Sequence, residues 1–129
     1  MSPNKNDTER RRFTRVPFAA RVILSNNKGI WHGDLVDISL RGLLMLRPGN
    51  WDDTVDSECR VEIALERGGP SISVNGRIAH IDEQLFGLCF QKMDVQSAAR
   101  LRKLIALNLG DEQLLERELA ELIKAHLTT

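Results

Sequence analysis

Cys59-Arg60-Val61-Glu62-Ile63-Ala64-Leu65-Glu66 is the stretch that decides the architecture of this chain. Cys59, Val61, Ile63 and Leu65 share one parity, while Arg60, Glu62 and Glu66 share the other. A period of two is the repeat of an extended strand, whose successive side chains point to opposite faces, so the stretch predicts a strand with one buried and one wet face. The same pattern recurs on both sides. Toward the N-terminus, Phe18, Ala20, Val22 and Leu24 alternate with Ala19, Arg21, Ile23 and Ser25, and Asn26-Asn27-Lys28-Gly29 closes that strand with turn-forming residues. A second strand is expected from Ile30 to about Ile38. The tight turn Ser39-Leu40-Arg41-Gly42 leads into a third over Leu43 to Leu46, and Pro48, Gly49, Asn50, Asp52, Asp53 and Asp56 make a loop. Toward the C-terminus, Arg67-Gly68-Gly69-Pro70 turns the chain into a long extended segment carrying Ile72, Val74 and Ile78. Asn75-Gly76 inside it is read as a bulge, because the arm from Ser71 to Val74 is short for a hairpin. A sixth strand covers Leu85 to Gln91. Six short strands with no helical pattern among them predict a mainly β protein, an antiparallel barrel or sandwich.

Helical periodicity begins after Asp94, a good N-cap, where Ala98, Leu101, Leu104, Ile105 and Leu109 form an apolar stripe. Gly110 ends that helix and Asp111 caps a second. Leu115, Leu119, Leu122 and Ile123 give the second helix an apolar face, and Glu112, Glu116, Glu118 and Glu121 are placed largely on the others. That face must be covered, by the barrel or by a partner protein or second copy of the chain.

A length of 129 residues suits one domain with short appendages. The expected division is a flexible tail over 1–9, a barrel with its first helix over 10–110, and an additional helix over 111–127. With 42% hydrophobic and 28% charged residues, neither wholesale disorder nor a membrane protein fits. Apolar runs such as Leu43 to Leu46 are far below the roughly 18 to 20 residues that span a bilayer, so no membrane insertion is expected. MSPNKNDTERRR has no apolar signal stretch, and the expected location is the cytoplasm. Cys59 and Cys89 lie in apolar runs without zinc-site spacing and read as buried, reduced thiols.

Catalysis is not expected. His32, His80 and His126 are widely separated, Ser39 has no glycine-elbow context, and no glycine-rich loop precedes a helix. No metal or cofactor is implied. The net charge is zero, yet residues 1–50 carry nine basic and four acidic side chains, and residues 51–129 carry nine basic and fourteen acidic. Arg10, Arg11, Arg12 and Arg15 form the densest cluster. Guanidinium groups present a planar fork that fits phosphate oxygens and the O6 and N7 acceptors of guanine. A carboxylate such as Asp37 complements N–H donors on a base edge, and Gly42 permits a backbone conformation or close ligand approach that a side chain would block.

Arg11-Arg12-Phe13-Thr14-Arg15 fits an RxxxR motif and Asp37-Ile38-Ser39-Leu40-Arg41-Gly42 fits a [D/N]xSxxG motif. In these two motifs, their order and their spacing, the chain resembles PilZ domains, bacterial receptors for cyclic di-GMP, over about Arg10 to Leu109. Its second C-terminal helix is similar to that of small single-domain gammaproteobacterial members. The resemblance implies a six-stranded antiparallel β-barrel with a flexible N-terminal arm and two C-terminal helices. It implies that Arg11 and Arg15 bind phosphates and guanine edges, flanked by Arg10 and Arg12, while Asp37, Ser39 and Gly42 line a base pocket on the barrel surface. His80 stands at the approximate position where some relatives stack an aromatic ring on guanine, and its inward parity would be reversed by a bulge. Arg41 and Arg77 are further cationic candidates, whereas Trp31 and Trp51 read as packing residues.

The resemblance also implies a stoichiometry, because an arginine just before the RxxxR motif, here Arg10, favours two intercalated ligands per chain. The expected role is a monomeric receptor that acts through an unidentified protein effector, in motility, surface attachment or biofilm formation. The second reading is a nucleic-acid-binding barrel, since such barrels and basic arms serve RNA and single-stranded DNA. Zero net charge, an acidic C-terminal half, the absence of tyrosine and 5% aromatics weigh against it.

Overall fold

In the computed structural model, which describes residues 13–66 and 68–127 (125–127 by backbone alone), the alternation of the opening stretch becomes burial. Strand β5 (Glu58–Ala64) buries Cys59, Val61 and Ile63 and exposes Glu58, Arg60 and Glu62. It lies between β2 (Arg21–Asn26) and β6 (Ser71–Ile81), with Val22 opposite Ile63 and Ile63 opposite Ile72. Leu24, Val61 and Val74 form a second inward row. All six side chains are at most 1% exposed. Burying each such side chain contributes about 1.5 to 3 kcal/mol against the ordering of the chain.

Strands β3 (Gly29–Ile38), β4 (Gly42–Leu46) and β7 (Leu85–Met93) complete the sheet. Its antiparallel order is β3-β2-β5-β6-β7-β4, and β4 pairs back onto β3, so six strands close into a barrel. The two-residue β1 (Val16–Pro17) pairs outside this ring on the end of β3. The expected barrel is therefore present. Expectations for the tail over 1–9 and for Arg10, Arg11 and Arg12 lie outside the described residues.

Two irregularities separate β6 from β7. Near Asn75-Gly76 the extra residue is Gln91 on β7, so β6 keeps its parity there. Between Ile78 and His80 the extra residue is Ala79 on β6 itself. Ile78 is opposite the inward Leu88, but His80 is opposite Gly87, between the fully buried Phe86 and Leu88, so His80 faces outward. The parity reversal is real, and its cause lies four residues beyond the expected bulge.

Helix α1 (Val95–Leu109) starts at Asp94, whose side chain accepts from the Ser97 amide, and ends at Gly110 in the left-handed conformation with φ 69°. Ser97 in turn accepts from the Ser73 amide of β6 at 3.0 Å, docking the helix on the barrel. Leu101, Leu104 and Ile105 are buried, whereas Ala98 is exposed. In α2 (Glu112–Leu127), Leu115 joins the same buried cluster as the barrel residues, with Leu119 and Leu122 packed against it. This answers what covers that helix. Two details differ from expectation: Ile123 is 61% exposed, and Glu118, assigned to the polar side, is only 3% exposed. Among the described residues no helix is long and apolar enough to cross a membrane.

Candidate functional site

Register brings the two motifs together. Pro17 is opposite Asp37, so the chain just before β1 runs beside the end of β3. A bulge at Val36, between Leu35 and Asp37, sets Asp37 outward while Leu35 and Ile38 remain in the core. Arg15 then reaches it, and its Nη1 donates to Asp37 Oδ1 at 2.8 Å. The two side chains are 25% and 20% exposed, so solvent screens the pair only in part.

The pairing continues around the barrel as one transverse row. Asp37 faces Leu44, Leu44 faces Gly87, and Gly87 faces His80. Gly87 leaves a dip that the imidazole fills, since a Cβ there would come within 2.4 Å of His80 Cε1. At the end of this row the turn after β3 is built by Ser39. Its Oγ accepts from the Arg41 and Gly42 amides, each at 3.2 Å, and its amide donates to the Gly42 carbonyl at 2.9 Å. Ser39 is 4% exposed, so turn construction occupies its hydroxyl. Gly42 is also constrained within the barrel. A Cβ there would lie 2.3 Å from the Leu88 carbonyl oxygen, so the close approach that requires glycine is to the backbone of β7.

Arg15, Ser39, Gly42 and His80 line one small cavity, together with Phe13 and Arg41. Its volume is about 20 Å³, room for a single water. Arg41, read from the sequence as a further cation, stands 5.8 Å from the centroid of the Phe13 ring, within cation–π range. Arg77 is elsewhere, paired with Glu58 at 3.3 Å. Trp51 is buried and stacks on Phe86 at 4.3 Å, and Trp31 packs against the core, as their reading as packing residues requires.

Sequence reasoning missed three residues that hold this site. Phe13, inside RxxxR, is a core side chain at 2% exposure. Thr14 donates from its amide to Glu118 Oε1 at 2.8 Å and from its hydroxyl to Glu118 Oε2 at 2.7 Å. The chain just before Arg15 is thus anchored at Phe13 and Thr14. A signal existed for Glu118, which lies three residues after Leu115 and four before Leu122 and so shares their helical face.

A much larger cavity, about 810 Å³, opens beside the β2–β3 turn, and none of the described motif residues lines it. The side chain of Asp53 at its edge is 6% exposed. Burial raises its pKa, but hydrogen bonds from Ser57, the Thr54 amide and Asn26, with the charge of Lys28, outweigh burial and hold it below the ordinary value of 3.8. Burial, with the Asp53 charge adding, pushes the Cys59 thiol up to about 12. Neither Asp53 nor Cys59 lines the small cavity that holds Arg15 and His80.

Three comparisons with solved structures show the same fold. The PilZ domain of YcgR from Escherichia coli with c-di-GMP superposes with a TM-score of 0.60 at 17% identity, covering 89% of this chain and 98% of that one. The E. coli YcgR complex with c-di-GMP gives 0.63 at 19% identity, covering 93% and 51%. The Bacillus subtilis inhibitor of motility MotI/DgrA gives 0.60 at 12%, covering 78% and 48%, so this chain spans about half the length of those two proteins. The family model of the PilZ domain matches residues 9–107. That match takes in both motifs, the whole barrel and most of α1, and the chain belongs to the PilZ domain family.

Proposed function

We propose that this protein is a receptor for cyclic di-GMP and that the ligand binds at the Arg15–Asp37 surface. The observation that carries the reading is the 2.8 Å contact that joins the two motifs beside His80, Ser39 and Gly42. Arg15 supplies a fork for phosphate or the guanine Hoogsteen edge, and Asp37 supplies acceptors for guanine N–H donors. Membership of the family and the c-di-GMP complexes of YcgR support the choice of ligand.

The role is binding rather than catalysis, exercised in the cytoplasm by a monomer. Two ligands per chain, with Arg10, Arg11 and Arg12 completing the cationic layer, extend the reading to the N-terminal arm. The output passes to a protein effector in motility, attachment or biofilm control. Titration of the purified chain with cyclic di-GMP and with a single-stranded oligonucleotide tests the proposal. Saturable binding of the dinucleotide alone supports it, and preference for the oligonucleotide favours the nucleic-acid reading.

A further inference from the structure

We infer that Glu118 of α2 is a positioning residue of the cyclic di-GMP site, acting through Thr14 on Arg15, an inference that rests on the function proposed above. A carboxylate that is 3% exposed needs hydrogen bonds to be tolerated, and Glu118 receives one on each oxygen from the same residue. Because one donor is the backbone amide and the other the hydroxyl of Thr14, the two contacts fix the orientation of the chain as well as its place. Arg15 is the next residue. Val16, 4% exposed, is paired with Ile38 on its far side, and Phe13, 2% exposed, is sunk in the core before it. The backbone that aims Arg15 at Asp37 is therefore pinned on both sides, and one of the pins comes from a helix 104 residues away.

The helix is itself held for this task. Leu115, one turn before Glu118, is 3% exposed in the common core, and Arg102 of α1 pairs with Glu116 of α2 at 2.9 Å. A receptor whose arginine is already aimed loses less conformational freedom on binding than one that must order it. Removing the clasp lets the segment around Arg15 sample other orientations. If the competent fraction falls to about a tenth, the apparent affinity falls about tenfold.

Calorimetric titration of the purified chain with cyclic di-GMP, with thermal melts on the same samples, tests the inference. Glu118→Ala is expected to bind about tenfold more weakly. Glu118→Gln should stay near wild type, because its amide oxygen can accept from the Thr14 amide and its NH2 can donate to Thr14 Oγ1. Thr14→Val, which leaves α2 untouched, should shift affinity in the same direction as Glu118→Ala by a smaller factor, and it decides the matter if Glu118→Ala does not fold. In an Arg15→Ala background, Glu118→Ala should cost little further affinity. A merely structural role would lower the melting temperature of Glu118→Ala and leave its affinity at the wild-type value. That result, tighter binding, or an equal loss with and without Arg15 overturns the inference. Wild-type protein that binds no cyclic di-GMP overturns the proposed function first, and the positioning role falls with it.

Discussion

Arg15 and Asp37, 22 positions apart in sequence, meet through a charge-assisted hydrogen bond of 2.8 Å. The contact holds two groups that a guanine nucleotide would use separately, one as donor and one as acceptor. Each is partly exposed, so the pair contributes about 1 kcal/mol or less to folding. Arg15→Ala and Asp37→Ala should lower the melting temperature by little, and their double variant by less than the sum, because both remove the same contact. Cyclic di-GMP affinity should fall by about 1.5 to 3 kcal/mol for each, as for a lost charge-assisted hydrogen bond. Thermal melts and calorimetry on the three variants check both halves of the expectation.

Gly42→Ala and Gly87→Ala should part company. At Gly42 a Cβ meets the Leu88 carbonyl oxygen at 2.3 Å, a backbone atom that can move only by disturbing the β4–β7 pairing. The expected loss is on the order of 2 kcal/mol or more of stability, seen in chemical denaturation. At Gly87 the nearest atoms belong to the His80 imidazole, which can rotate away. That variant should keep most of its stability while displacing His80 from the cavity, and an affinity shift without a large stability loss is the result to look for.

Asp53 gives a pH-dependent test of the barrel end. Its folded pKa lies below 3.8, so the unfolded chain takes up the proton first as pH falls. The stability it contributes is complete above its unfolded value, near 4, and is lost as pH falls through the folded one. The melting-temperature difference between wild type and Asp53→Asn should therefore be largest at neutral pH and shrink toward pH 3 and below. A difference that is constant over this range, or grows on acidification, contradicts the assignment.

Arg10 precedes the RxxxR motif, and its charge is the expected requirement for a second ligand. Two ligands bring four phosphate charges to the site, and Arg10, Arg11, Arg12 and Arg15 supply four guanidinium groups to offset them. Arg10→Leu should shift the stoichiometry from two toward one more than it abolishes binding. Calorimetry at ligand concentrations that keep the free dinucleotide monomeric reads this directly, and a variant that still takes two with equal affinity rejects it.

How far the sequence could be read depended on whether a feature is local. Alternation at Cys59, Val61, Ile63 and Leu65 is a local property of one strand, and β5 follows it residue by residue. The direction of His80 is not local, because the bulge at Ala79 exists only relative to the pairing of β6 with β7. Gly42 was legible as a position that needs glycine, but the atom that demands it, the Leu88 carbonyl, lies on another strand. Glu118 shows the same limit from the opposite side. Its spacing from Leu115 and Leu122 placed it on the buried face, while its charge argued for solvent, and the donors that settle the conflict belong to Thr14 near the other end of the chain.

Binding of cyclic di-GMP at the surface joining Arg15 to Asp37 is open to a single comparison. Isothermal titration of wild type and Arg15→Ala with the dinucleotide, at matched melting temperatures, tests it most directly. The expected result is saturable binding by wild type and an affinity at least about tenfold lower for Arg15→Ala, the lower end of a lost charge-assisted contact. Absence of binding by the wild type, or indistinguishable isotherms for the two proteins, would contradict it.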